Sequence, residues 1–399
     1  MPLTSLKILD FSTLLPGPYA TMMLSDMGAD VLRIESPSRP DLCRHLPPVD
    51  ERGTSYIHQT LNRSKKSLGL DLKNPEAIEL IHRLIADYDI IVEQFRPGVM
   101  QRLGLDYNTL KEINPKLIYC SITGYGQTGP KKDKGGHDIN YLAIAGLASY
   151  TGTPDTGPMP IGFQIADIAG GSMHSVTAIL AAVIERSHNG EGQYIDISMT
   201  DAAFALNAMT GASALGSGEV PQLANGVLNG GAFYNHYETR DGRYFSVGSI
   251  EPQFMTQLCE AIGRPDLVKN GLKYTPESQA PLIEALTEAF KLQDYQHWCE
   301  VFENLDACVE PTLNVIEASQ HPQLVERKMV VEVPTLGSAS VKQIASPIKF
   351  SKHTTKYSFT GCEVGHHNDD IIKALGIDDE HYQKMKANGV FGSSSNQIR

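Results

Sequence analysis

The sequence predicts an α/β fold, built on a Rossmann-like, mainly parallel sheet with a second, smaller α/β unit after it. Strand-like and helix-like segments alternate from Leu6 to Ile122. A stretch rich in Gly, Ala, Ser and Asn at 211–231 then breaks the pattern. Beyond it a hairpin signal at Asp241-Gly242 opens a new run of elements. These observations divide the chain into 1–200 as the first part of the large domain, 201–230 as a linker, 231–310 as the small domain, and 311–399 as a return linker with the rest of the large domain.

The elements follow in order. Leu6 to Phe11 reads as a strand, Pro16-Gly17-Pro18 as a turn, and Tyr19 to Met27 as a helix closed by Gly28. Asp30 to Glu35 is the next strand, which completes a βαβ unit. Pro75 to Asp87 is helical with Pro at its start. Asp89 to Glu93 and Leu117 to Ile122 are further strands. No GxGxxG follows the first strand, so a dinucleotide site lacks its fingerprint. Ile139 to Leu147 and 165–186 read as helices, and 190–198 as a turn and strand.

Composition narrows the function. Hydrophobic residues are 41% and charged residues 20%, ordinary for a globular chain. The net charge of −12 argues against nucleic-acid binding, which needs a basic field to neutralise phosphates. No apolar run in the sequence approaches the roughly 20 residues that span a bilayer, and Met1 to Asp10 does not read as a signal peptide. The six cysteines, Cys43, Cys120, Cys259, Cys299, Cys308 and Cys362, form no CxxC pair. Reduced thiols and a cytoplasmic location are expected. His366-His367 beside Asp369 and Asp370 lacks the spacing of a third ligand and reads as solvated surface, so no metal is expected.

Four segments carry a resemblance. They are Pro16-Gly17-Pro18 with Gly28-Ala29-Asp30-Val31, Asn62 to Ser67 with Leu70-Asp71-Leu72, Glu93 to Val99, and Gly124 to Pro130. Together the chain resembles the family III CoA-transferase superfamily (CaiB/BaiF-like) over roughly residues 5–350. Gly136 to Tyr141, Ala166 to Met173 and Gly248 to Phe254 resemble its α-methylacyl-CoA racemase branch. The resemblance implies a large Rossmann-like domain and a small one, joined by two linkers. It also implies an interlocked homodimer and an acyl-CoA thioester as substrate.

It further implies site residues. Inverting the carbon beside a thioester carbonyl needs a base on one face, an acid on the other, and stabilisation of the enolate between them. His137 and Asp167 resemble that pair, and Glu251 would fix the His137 tautomer. The Asp138 N–H, at a helix start, would hold the enolate oxygen, with Tyr141 one turn on. CoA phosphates need cations. Arg39, Arg44, Arg63, Lys65, Lys66 and Arg96 all lie in the first hundred residues. Arg96, Lys65, Arg39 and Arg63 are the candidates, Arg96 because it follows a strand end, where open α/β sheets bind ligands. No flavin, nicotinamide or metal is required by this chemistry.

Two positions depart from the racemase pattern. Ser36 stands where that branch has an arginine, so Arg39 would substitute, and Phe163 stands where it has asparagine. Each site residue also has a plainer reading. Asp167 can be a helix N-cap, Glu251 a first-turn charge, the Arg63 to Lys66 run a solvated face, and Arg96 a loop brace. Met22, Met23 and Met209 point to an adaptable apolar surface for the acyl chain. The expected activity is epimerisation of 2-methyl-branched acyl-CoA by 1,1-proton transfer. The alternative is CoA transfer between carboxylic acids through an aspartyl-CoA thioester at Asp167.

Overall fold

The computed structural model describes residues 1–337 and 339–392. The chain divides into two compact units. One comprises 1–142, 163–206 and 323–399, and the other 143–162 and 207–322. Residues 143–162, which the sequence pattern assigns to the large domain, therefore group with the second unit.

The first unit is built on six parallel strands. They are β1 (Lys7–Asp10), β2 (Asp30–Glu35), β3 (Lys66–Gly69), β4 (Ile90–Glu93), β5 (Ile118–Thr123) and an edge strand, Tyr194–Ser198. The order is β3-β2-β1-β4-β5-edge. Ile8 pairs with Val31 on one side and Ile90 on the other, and Ile91 pairs with Tyr119. β4 and β5 are buried along their whole length, as expected for a parallel sheet covered on both faces. Leu9, Leu32, Leu68, Ile91 and Tyr119 form a core with Leu80 and Leu84 of the Pro75–Leu84 helix. Ile371, Tyr382 and Met385 from the C-terminal helices join the same core. Each fully buried aliphatic side chain there contributes about 1.5–3 kcal/mol relative to exposure.

The strand order reverses between β1 and β4. This is the switch point at which doubly wound sheets open a crevice beyond their strand ends. Helix α1 (Pro16–Asp26) starts there. The sequence pattern makes Pro16-Gly17-Pro18 a turn, but these residues form the first turn of the helix. Proline fits that position because its missing N–H has no intrahelical partner to lose. Leu15 supplies no side-chain cap, and Gln94, just past β4, accepts the Gly17 N–H at 3.0 Å instead. A Cβ at Gly17 would run into the Ser12 side chain, so glycine allows this closure across the switch point.

The helix from Ala166 to Asn189 is π-helical through Met173 and α-helical afterwards. Its glycines bring it close to its neighbours: a Cβ on Gly171 would lie 3.1 Å from Pro16 Cβ. Ser172 Oγ donates to the Pro16 carbonyl at 2.6 Å, which fixes the helix start against α1. By length and composition alone this helix is long enough to cross a bilayer, which the count of uninterrupted apolar residues does not register. Core helices pass the same test, and this one packs on α1 and β5.

The second unit has a three-stranded antiparallel sheet, ordered Val309–Pro311, Tyr244–Val247, Asn235–Glu238. The hairpin turns at Asp241-Gly242, with Gly242 at φ +78°. Helices Pro252–Ala261, Pro276–Leu292 and Tyr295–Phe302 pack on it around Phe245, Phe290, Trp298 and Phe302. The Phe290 and Trp298 rings lie 4.8 Å apart, and the Trp298 indole N–H donates to the Phe290 carbonyl at 3.1 Å. Part of the stretch that reads as a Gly- and Ala-rich linker forms a helix, Thr210–Ser217.

Candidate active site

The chain from β5 runs through Gly124–Pro130 into the Asp138–Ile144 helix. The loop is pinned to the edge strand and the helix after it. Asp196 accepts the Gln127 N–H at 3.0 Å, and the Thr200 N–H donates to the Gly124 carbonyl at 3.0 Å. The helix start is fixed from within. Asn140 Oδ1 accepts the His137 N–H at 3.0 Å, a reach-back of the kind seen in capping boxes. Tyr141 is buried. Its hydroxyl donates to the Gly136 carbonyl, and its ring meets Tyr125 edge-on at 5.3 Å. Tyr141 thus holds the backbone that presents His137, which is itself exposed. Asn140 and Tyr125 lie inside the quoted motifs, but nothing local in the sequence shows these contacts.

Asp138 and Asp167 meet directly. Asp138 Oδ1 accepts the Asp167 backbone N–H at 3.0 Å. Asp167 is half-buried at the start of the π-helical stretch, a local distortion that often marks functional sites. Burial pushes its carboxyl up, the Asp138 carboxylate adds to that, and His137 pulls it back, leaving it at about 6. A carboxyl so placed is populated in both protonation states near neutral pH, as a group that both takes and gives a proton requires. Asp167 is not the helix N-cap, because it lies within the first turn and Ile165 takes the cap position. Among the described residues no acceptor faces the Asp138 N–H.

The expected cations separate. Arg96 is exposed past β4, and a Cβ on Gly135 would lie 3.3 Å from its Nη2, so the guanidinium lies against the backbone just before His137. It makes no side-chain hydrogen bond or ion pair among the described residues. Arg39 is likewise exposed, on the loop after β2. Lys65 and Arg63 correct the expectation of phosphate contact, since both are sealed inside the first unit. Lys65 Nζ donates to Thr21 Oγ1 at 2.7 Å, to the Pro18 carbonyl at 2.8 Å and to Asp10 at 3.4 Å. Burial pulls its ammonium down to about 7. Arg63 pairs with Asp26 and donates to the Ile344 carbonyl at 2.7 Å. Neither head group is open to a ligand in this structure.

Arg44 is also internal, bonded to Glu35 at 2.7 Å, while Lys66 pairs with Asp30 at 3.0 Å on a half-open surface. The Ser36 hydroxyl, in place of an arginine, lies 3.3 Å from the Ser38 hydroxyl, and Phe163 is exposed. Glu251 heads the Pro252–Ala261 helix of the second unit, exposed and making no cap bond with its side chain. His367 is not the free surface residue expected, because its Nδ1 accepts the Ser67 N–H at 3.1 Å. Among the described residues no group of three His, Cys, Asp or Glu is placed to hold a metal ion.

A sheet of this order with this constellation at its strand ends fits the superfamily that the sequence motifs resemble. Residues 3–368 match CoA-transferase family III, and the chain belongs to that family. It is an enzyme of the family III CoA-transferase superfamily. Among its relatives is the alpha-methylacyl-CoA racemase of Homo sapiens, 32% identical over 99% of this chain and 98% of that protein. The succinyl-CoA:glutarate CoA-transferase of Homo sapiens is also 32% identical, over 98% of this chain and 90% of that protein. A CaiB/BaiF family protein from Brucella suis superposes with a TM-score of 0.82 at 31% identity, covering 94% of this chain and 99% of that one. Overall identity is the same to racemase and transferase, so the choice of reaction rests on the site.

Proposed function

We propose that the enzyme epimerises 2-methyl-branched acyl-CoA thioesters by 1,1-proton transfer through an enolate. The observation that carries this reading is the coupling of His137 and Asp167. Both belong to one hydrogen-bonded assembly, joined by the Asp138 carboxylate on the Asp167 N–H. Asp167 also sits at about 6, within reach of the His137 charge. One group takes the α-proton from one face while the other returns a proton to the opposite face, and the roles swap for the other epimer. The Asp138 N–H is the donor for the enolate oxygen. Arg96 holds a CoA phosphate, with Arg39 as a second cation.

The chain is also proposed to work as a homodimer. Leu215, Met209 and Val220 in the second unit are 80%, 74% and 74% exposed, an apolar surface that a partner would cover. A cytoplasmic location fits the six free cysteines. No cofactor enters the chemistry.

Incubating a 2-methylacyl-CoA with the enzyme in deuterium oxide tests the reaction. Deuterium is expected at the α-carbon, with the signal lost in His137→Ala and in Asp167→Ala. The second reading is CoA transfer, with Asp167 as nucleophile. It is favoured by the transferases among the relatives. No exchange, together with transfer of CoA to a free carboxylate that needs Asp167 but not His137, would replace the first reading with the second.

A further inference from the structure

The first unit holds a cavity that none of the proposed catalytic or CoA-binding residues line. Its volume is about 520 Å³, within the usual range of small-molecule sites. The α-helix Pro322–Glu326 ends at its rim, and the segment after the Ser340–Ile344 strand forms the opposite wall. Arg327, Lys328, Lys349 and His353 line it, with Glu326 as the one carboxylate. None of the three permanent cations has an ion pair among the described residues, in a chain whose net charge is −12. The sequence concentrates this charge. From Val333 to Cys362 there is no Asp or Glu, while Lys342, Lys349, Lys352 and Lys356 fall in the same run.

Apart from Thr354 and Thr355, the rest of the lining is apolar and aromatic. Val331, Ala345 and Ile348 lie beside Phe350 and Tyr357. Tyr357 is fixed in place. Arg63 stacks on its ring at 4.7 Å, and its hydroxyl accepts the Ser346 N–H at 2.8 Å. Lys328 adopts φ +52°, a backbone region where glycine is unstrained and lysine is not. A bare inorganic anion would use the cations and leave the rings without a role. A lipid tail would leave the cations without one.

We infer that this cavity binds a nucleoside phosphate: phosphoryl oxygens between Arg327, Lys328 and Lys349, and the base against the Phe350 and Tyr357 rings. Guanidinium and ammonium groups recognise phosphoryl oxygens by charge-assisted hydrogen bonds, and flat rings stack on planar bases. The site is separate from the acyl-CoA reading and stands without it. Its occupant is an effector bound away from Asp167.

The full chain is titrated with mant-ADP, a fluorescent adenosine diphosphate, at low and raised salt. Saturable binding is expected, weakened by salt and displaced by inorganic phosphate at high concentration. The double variant Arg327→Ala with Lys349→Ala is expected to weaken binding by about tenfold or more, and Phe350→Ala to weaken it further. Arg96→Ala leaves it unchanged. Circular dichroism and the milder Lys349→Gln variant separate lost binding from lost folding. The inference is overturned if the titration does not saturate or survives the double variant. It is also overturned if Arg96→Ala abolishes binding, because the probe is then in the acyl-CoA site. A double variant that changes the sedimentation of the protein but not the titration assigns the cavity to a second copy of the chain, and so overturns the inference as well.

Discussion

The carboxylate of Asp138 accepts the backbone N–H of Asp167 at 3.0 Å, tying the helix that carries His137 to the π-helical turn that carries the acid. The same carboxylate also raises the Asp167 proton affinity through space. One side chain therefore fixes the Asp167 backbone and adds to the upward shift that burial chiefly causes. Asp138→Asn keeps an acceptor oxygen and removes the charge. Asp167 then loses one of the two causes that hold it at about 6, and its proton affinity falls. In the direction where Asp167 takes the α-proton, activity is lost as pH drops through its pKa. The acid limb of the rate profile, expected near pH 6, should move to lower pH in the variant. Asp167→Asn should cost roughly 10²–10⁴-fold in rate at every pH. A pH-rate profile for each epimer checks both statements.

Two arginines that look alike in sequence should fail differently. Arg96 is exposed and unpaired among the described residues, whereas Arg63 is buried against Asp26. Arg96→Ala should raise KM for the CoA thioester by about tenfold, with little change in kcat or melting temperature. Arg63→Ala leaves the Asp26 carboxylate buried and uncompensated and should cost about 3–5 kcal/mol of stability. Thermal melts alongside steady-state kinetics on both variants distinguish the roles.

Much of the frame is legible in the sequence because it is local. Alternating strands and helices, Gly28 at a left-handed cap and the Asp241-Gly242 hairpin are all read within a few residues of themselves. The Gly136–Tyr141 and Ala166–Met173 motifs likewise hold the residues of the candidate site, although their contact with each other crosses 29 positions. Lys65 and Arg63 mislead for the opposite reason. A run of basic residues looks like a phosphate-binding face until Asp10, Asp26 and Ile344 arrive from distant parts of the chain to bury it. The start of α1 is hidden in the same way. Its first turn depends on a cap from Gln94, 77 residues away.

The buried Lys65 should write itself into the pH dependence of stability. Its ammonium is pulled from the ordinary lysine range down to about 7, chiefly by burial, with Asp10 opposing. Between that pH and the unfolded lysine value the unfolded chain binds more protons than the folded one. Stability therefore rises with pH across that window, by up to about 1.4 kcal/mol per unit for a single proton. Below pH 7 the charged lysine's burial cost is fully present. Lys65→Met with Asp10→Asn removes the titrating group and the charge that would be left behind. Urea unfolding at pH 7 and pH 9 should show the gain in wild type and its loss in the double variant.

Gly124 is the tightest point behind the site. A Cβ there would fall 2.5–2.7 Å from the Tyr141 ring. The ring has no easy escape, because Tyr125 meets it edge-on and its hydroxyl is bonded to the Gly136 carbonyl. Gly124→Ala should therefore displace Tyr141 and with it the backbone that leads into His137, costing about 1–3 kcal/mol of stability. Activity should fall further than stability explains, since the displaced segment carries His137, the proposed partner of Asp167. Tyr141→Phe keeps the ring and removes only the bond to Gly136, so its stability loss should be about 1 kcal/mol. Adding Tyr141→Leu to Gly124→Ala clears space for the new methyl. Melting temperature should then recover in part while α-proton exchange does not, because the Gly136 carbonyl has lost its anchor. Full recovery of exchange in that double variant would show that Tyr141 is packing alone and that His137 is held by Asn140.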